Sequence, residues 1–131
     1  VSGTYLLDAN ALIALLIADH EHHARAAAWL TTVDHIAICP TVEGAMFRFL
    51  IRAGESQATA SAALAAVHSW RRCAFWEDSI SYTTADLADV VGHRQVTDAY
   101  LASLAASRGG RLATFDQALA SARPGATELI P

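Results

Sequence analysis

Four acids in this chain recur at one kind of position. Asp8 closes the run TYLLDAN (4–10), and Glu43 lies just after the run HIAICP (35–40). Asp98 opens the block VTDAYLASLAASRGG (96–110), and Asp116 closes RLATFD (111–116). Taken singly, each has an ordinary explanation. Asp caps helices and ends turns, and Glu in a first helical turn interacts with the helix dipole. Taken together at the carboxyl ends of parallel strands, they would share one crevice. Carboxylates so placed repel and raise one another's pKa. A hard divalent cation relieves that cost: Mg²⁺ or Mn²⁺ takes oxygen ligands and keeps positions open for phosphate oxygens and an attacking water. The chemistry that follows is metal-assisted hydrolysis of a phosphodiester.

The elements that must position these acids can be read from period and punctuation. Residues 4–10 suit a short buried strand, followed by a helix over 11–20 and a second over 21–33. The run 35–40 is a strand stopped by Pro40. Thr41 can cap a helix that Gly54 ends, and residues 55–70 form a helix of small residues. A third strand spans 73–78, and Thr83 or Thr84 begins a short helix to about Val91. A strong helix over 96–110 leads to the strand 111–116, a short helix, and an edge strand at 127–130. Strands alternating with helices imply crossover units and a mainly parallel sheet, whose ligand site lies beyond the carboxyl strand ends.

Composition bounds the rest. The chain has 131 residues, 53% apolar and 17% charged, which suits one folded domain over 1–131 rather than a disordered segment. That length buries roughly two thirds of the unfolded surface. All nine basic residues are Arg. Without Lys there is no GxxxxGK[ST] phosphate loop and no Schiff-base catalysis, and receiver domains and haloacid-dehalogenase-type phosphatases do not fit. The 29 alanines beside an all-Arg basic set suggest a high-GC coding bias, which explains the missing Lys without function. The net charge of −4 argues against a basic nucleic-acid coat. Setting the four acids aside leaves nine acids against nine Arg, so the rest of the domain is formally balanced. Cys39 and Cys73 lack CxxC spacing, and a reduced, cytoplasmic protein is expected. No signal-peptide pattern precedes the first strand, and the eight-residue apolar run 11–18 is too short to cross a bilayer.

The pieces LLDAN, CPTVEG, QVTDAYLASLA and RLATFD, in this order and at these separations, resemble PIN-domain ribonucleases. More narrowly they are similar to VapC toxins of type II toxin–antitoxin (VapBC) systems. HEHHARAAAWL and GHRQVTDAYLASLA are similar to an actinobacterial-type subgroup. The resemblance runs from Thr4 to Ile130. It implies a PIN-like three-layer α/β/α sandwich on a mainly parallel sheet of four to five strands. It also implies that Asp8, Glu43, Asp98 and Asp116 are the catalytic acids holding Mg²⁺ or Mn²⁺. Asn10 and Thr114 would orient ligands or water through hydrogen bonds. The implied activity is endonucleolytic cleavage of RNA, tRNA or ribosomal RNA above all, leaving 3′-hydroxyl and 5′-phosphate ends and inhibiting translation and growth. The implied partners are a VapB antitoxin and a second toxin subunit, in a homodimer or a larger hetero-oligomer. A non-catalytic PIN-like module that binds RNA or protein is the alternative, and a DNA nuclease would share the metal chemistry.

Other residues admit two readings each. Arg48 and Arg52 share a helix face at i, i+4, and Arg94 closely precedes Asp98; they could contact phosphates or pair with the acids. Arg71 and Arg72 beside Trp70 could hold RNA or be structural. His20, His22 and His23 lack the partners of a zinc site and read as solvated surface. The helix bearing Leu12, Ile13, Leu15, Leu16 and Ile17 is apolar on more than one face, which suits burial between layers or cover by a partner.

Overall fold

The structure, a computed structural model, describes residues 3–131. Five strands form one sheet: β1 (Thr4–Leu7), β2 (His35–Ile38), β3 (Cys73–Phe75), β4 (Arg111–Thr114) and β5 (Thr127–Leu129). Their order is β3-β2-β1-β4-β5, and every neighbouring pair is parallel. Leu6 pairs with Ala37 on one side and Leu112 on the other, so β1 is central. Buried on both faces, β1, β2 and β4 carry Leu6, Leu7, Ile36, Ile38 and Leu112 at 1% exposure or less, the continuous apolar pattern that parallel sheets require.

The helices are α1 (Ala9–Leu16), α2 (His23–Leu30), α3 (Pro40–Arg52), α4 (Gln57–His68), α5 (Val96–Ser107) and α6 (Gln117–Ala122), with a 3₁₀ turn at His93–Gln95. The chain leaves β1 toward β2 and β3, then returns past β1 to β4 and β5. Right-handed crossovers therefore put α1–α4 on one face and α5 and α6 on the other. In accord with that, α1 packs on α2 and α3, while α5 packs on β4 and β1. The result is the expected three-layer α/β/α sandwich. The strand order reverses between β1 and β4, and at such a switch point the loops diverge and leave a crevice beyond the carboxyl strand ends.

Two local expectations change. Thr41 is not the cap of α3: Cys39 occupies that position with Pro40 as the first helical residue, and the Thr41 hydroxyl donates to Asp78 at 2.8 Å. The helix expected from Thr83 to Val91 does not form, and the segment stays as successive turns. Its polar groups are satisfied otherwise. The Asp86 N–H donates to the Ser103 hydroxyl, the Ala88 N–H to the Asp86 carboxylate, and the Val91 and Gly92 N–H groups to Gln95 Oε1. Side-chain acceptors of this kind compete directly with helical bonding. By contrast, Gly54 (φ 96°) and Gly109 (φ 73°) do take the left-handed conformation just past the ends of α3 and α5.

Candidate active site

Asp8 and Asp116 flank the switch point. Asp8 follows β1 directly and caps α1, accepting the Ala11 N–H at 2.8 Å, and it is only 6% exposed. Asp116 follows β4 and caps α6, accepting the Leu119 N–H at 3.0 Å. Asp98 reaches the same crevice from the first turn of α5. Thr114, fully buried at the end of β4, lies between the first two: its hydroxyl oxygen accepts the Asp116 N–H at 3.0 Å, and its hydroxyl favours the ionised form of Asp8.

The electrostatics report the proximity. Burial pushes the Asp8 carboxyl up to about 6, against the hydrogen bonds from Thr114 and Ala11, and the charges of Asp98 and Asp116 push in the same direction as burial. Asp98 is also raised, first by burial and then by Asp116. Three of the four acids thus act on one another.

Glu43 stands apart. It lies in the first turn of α3, and its carboxylate meets Nε2 of His68, at the end of α4, at 2.6 Å. Its charge contributes to the raised thiol of Cys73. The signal for His68 was absent from the sequence, since nothing local joins residues 25 positions apart on two helices.

Asn10 is exposed on α1, one residue beyond Ala9, and Arg48 is exposed on α3. Arg94 is exposed in the 3₁₀ turn ahead of Asp98. None of these three makes an ion pair among the described residues. A cavity of about 110 Å³ beside the acids is lined by Asp98 and Asp116 and by residues that sequence reasoning missed: Asp89, Gln95 and Arg123. Arg123 is largely buried and grips Asp89 with two nitrogens, at 2.5 and 3.1 Å, while also donating to the Asp86 carbonyl. It fastens the turn-rich segment to α6 and holds one wall of the cavity.

The remaining candidates fall elsewhere. Arg72 donates to the Val33 carbonyl at 2.6 Å, and with Trp70 and Arg71 it lines a cleft by Leu30 and Ile36, toward the amino ends of β2 and β3. His22 packs on Phe115 and lies 3.1 Å from an Arg25 nitrogen, and His23 Nδ1 meets the Ala14 carbonyl at 2.8 Å. These imidazoles are half-buried packing groups rather than solvated surface. Cys39 and Cys73 are free thiols pushed up by burial to about 12 and about 11, so neither is a thiolate nucleophile near neutral pH.

A cation fits the donor set. Asp8, Asp98 and Asp116 present hard carboxylate oxygens, and their repulsion is not met by any salt bridge among the described residues. Among those residues, no three His, Cys, Asp or Glu side chains already close into a metal cage.

Comparison with known proteins gives the family. Residues 5–123 match the PIN domain family. The chain is 50% identical over 129 residues to ribonuclease VapC29 of Mycobacterium tuberculosis H37Rv, covering 98% of this chain and 97% of that one. It is 40% identical over 138 residues to ribonuclease VapC39 of the same strain, covering 97% and 99%. Its fold is similar to the crystal structure of M. tuberculosis VapC20, a sarcin-ricin loop cleaving toxin, with TM-score 0.68, 19% identity and coverage of 97% and 99%. It is also similar to VapBC2 of Rickettsia felis bound to a promoter DNA fragment, with TM-score 0.63, 18% identity and coverage of 96% of each chain. With a family match across most of its length and near-complete overlap with two VapC ribonucleases, the chain belongs to the PIN-domain family, in its VapC ribonuclease branch.

Proposed function

We propose that this chain is the toxin of a VapBC pair, a Mg²⁺- or Mn²⁺-dependent endoribonuclease that works through Asp8, Asp98 and Asp116, with Glu43 as the fourth acid. The observation that carries this reading is the desolvated Asp8 carboxyl facing two further carboxylates at a strand-order switch point. A protein with no use for a cation gains nothing from that repulsion.

A bound divalent cation supplies positive charge to phosphodiester oxygens and activates water. The protein's own part is positional. The Ala11 N–H and the Thr114 hydroxyl pin Asp8, and the Asp116 N–H pins Thr114, so that the acids hold still while charge develops. Glu43 would join them through the carboxylate oxygen that His68 does not hold. Water adds to phosphorus, the P–O3′ bond breaks and the 3′ oxygen takes a proton, giving 3′-hydroxyl and 5′-phosphate ends. Arg48 and Arg94 are positioned for flanking phosphates.

Partner and setting belong to the same proposal: tRNA or ribosomal RNA as substrate, a VapB antitoxin as inhibitor, a homodimer or larger hetero-oligomer, and a cytoplasmic location. Two free thiols accord with a reduced setting, and among the described residues no helix is long and apolar enough to cross a membrane.

Purified chain should cleave RNA with Mg²⁺ or Mn²⁺ and leave matched DNA oligonucleotides intact. EDTA or Asp98→Asn should abolish cleavage. Metal-independent cutting that survives both Asp8→Asn and Asp98→Asn sinks the mechanism. The engagement of Glu43 by His68 favours a second reading, a non-catalytic RNA- or protein-binding module. Metal titration separates the two, since a module would bind RNA with no metal binding and no cleavage.

A further inference from the structure

One outward face of α3 carries a pattern the acids do not use. Ala45, Arg48, Phe49, Arg52 and Ala53 follow i, i+3, i+4, i+7 and i+8, while Val42, Met46 and Leu50 fill the core from the adjoining face. With Ala9, Asn10 and Ile13 of α1 this face lines an open groove of about 590 Å³. The groove begins at Ala9 and Asn10, the residues that follow Asp8 in the chain.

Its charge is one-sided. No acid lines it, and among the described residues neither Arg48 nor Arg52 has an ion-pair partner. Arg25, Arg72, Arg111 and Arg123 are by contrast spent on carbonyls or carboxylates of the chain itself. Arg48 leans toward the start of α3, its Nη1 3.4 Å from where a Cβ on Gly44 would stand, beside Glu43. Arg52 follows one helical turn on, ~6 Å along the axis, similar to the phosphate repeat of an extended strand. Between them Phe49 is 42% exposed, an aromatic ring presented to solvent.

We propose that this groove is the subsite for the single-stranded RNA flank of the scissile phosphate. Arg48 and Arg52 take successive phosphates, and Phe49 stacks an unpaired base. The proposal rests on the ribonuclease reading above and names where its substrate runs. Two unpaired guanidiniums with an aromatic ring between them, at the edge of a phosphodiester site, match the way single strands are held.

The test measures binding of a fluorescent oligouridylate and an oligoadenylate to the full chain in EDTA, across a salt series, with cleavage followed separately in Mn²⁺. Arg48→Gln/Arg52→Gln should lower the slope of log K against log salt by ~0.7 per lost phosphate contact, about 1.4 in all. Arg48→Lys/Arg52→Lys should largely restore the slope. Phe49→Ala should weaken binding on the order of tenfold with the slope unchanged. In cleavage, the loss should fall on KM. All three residues are exposed, so the variants should melt as the wild type does. An unchanged slope in the Gln pair, with wild-type cleavage intact, overturns the groove and leaves the nuclease reading standing. Unchanged RNA binding with lost association to a co-expressed antitoxin also overturns it, assigning the groove to that protein. A wild-type chain that neither binds nor cleaves RNA removes both readings.

Discussion

Glu43 and His68 lie 2.6 Å apart, the carboxylate in the first turn of α3 and the imidazole at the last residue of α4. The pair keeps the fourth acid on the α4 side while Asp8, Asp98 and Asp116 act on one another. The imidazole holds one carboxylate oxygen of Glu43 and so competes with a cation for it. His68→Ala should therefore tighten Mn²⁺ binding by up to about fivefold, the range expected for a part-exposed pair worth up to ~1 kcal/mol. Calorimetric titration of Mn²⁺ checks this. Weaker binding would mean that His68 supports Glu43 in its metal-holding position.

Asp8 should make function and stability pull in opposite directions. Its carboxyl sits at about 6 in the folded chain against the ordinary 3.8. Below pH 3.8 both states hold the proton. Between there and about 6 the unfolded chain releases it first, so the folded state loses stability as pH rises, and the loss is complete above about 6. At about 1.36 kcal/mol per pH unit the cost approaches ~3 kcal/mol. Asp8→Asn keeps the helix cap, so at pH 7 without metal it should melt higher than wild type while losing cleavage. Divalent cation should raise the wild-type melting temperature and not the variant's. Melting curves at pH 4 and pH 7, with and without Mn²⁺, give the answer; a variant less stable at pH 7 contradicts it.

Thr114 is fully buried, and its hydroxyl serves both Asp116 and Asp8. Thr114→Val leaves the Asp116 N–H without that acceptor and removes a bond that favours ionised Asp8. The expected cost is about 1–3 kcal/mol in urea denaturation, with cleavage down roughly 10- to 100-fold. Thr114→Ser should stay near wild type in both. Equal loss in the Ser and Val variants would show that the methyl group, not the hydroxyl, matters.

Gly110 precedes β4 where the backbone passes closest to β1. A Cβ there would stand 2.4 Å from the Thr4 carbonyl oxygen and 3.1 Å from the Trp76 ring. Gly110→Ala should cost roughly 1–3 kcal/mol by forcing the β1–β4 pair apart. Gly125→Ala meets nothing within 4 Å and serves as the control. Thermal denaturation of both checks the contrast, and equal melting would contradict it.

By itself the sequence determined the features that depend on near neighbours. Caps and stops such as Asp8, Gly54 and Gly109 act within a few residues, and buried runs at β1, β2 and β4 leave parallel strands as the way to hide their backbones. That parallel arrangement directs Asp8, Glu43, Asp98 and Asp116, just after strands or at the starts of helices, toward one end of the sheet. What only the tertiary structure decided depends on partners distant in the chain. Segment 83–91 lost its helix to Ser103, Gln95 and Arg123, and Arg72 was spent on Val33. Glu43, in the right helical turn by sequence, took His68 because α4 folds back along α3. A side chain's period says which face it occupies, but its hydrogen-bond partner is set by whichever polar group packing brings within about 3 Å.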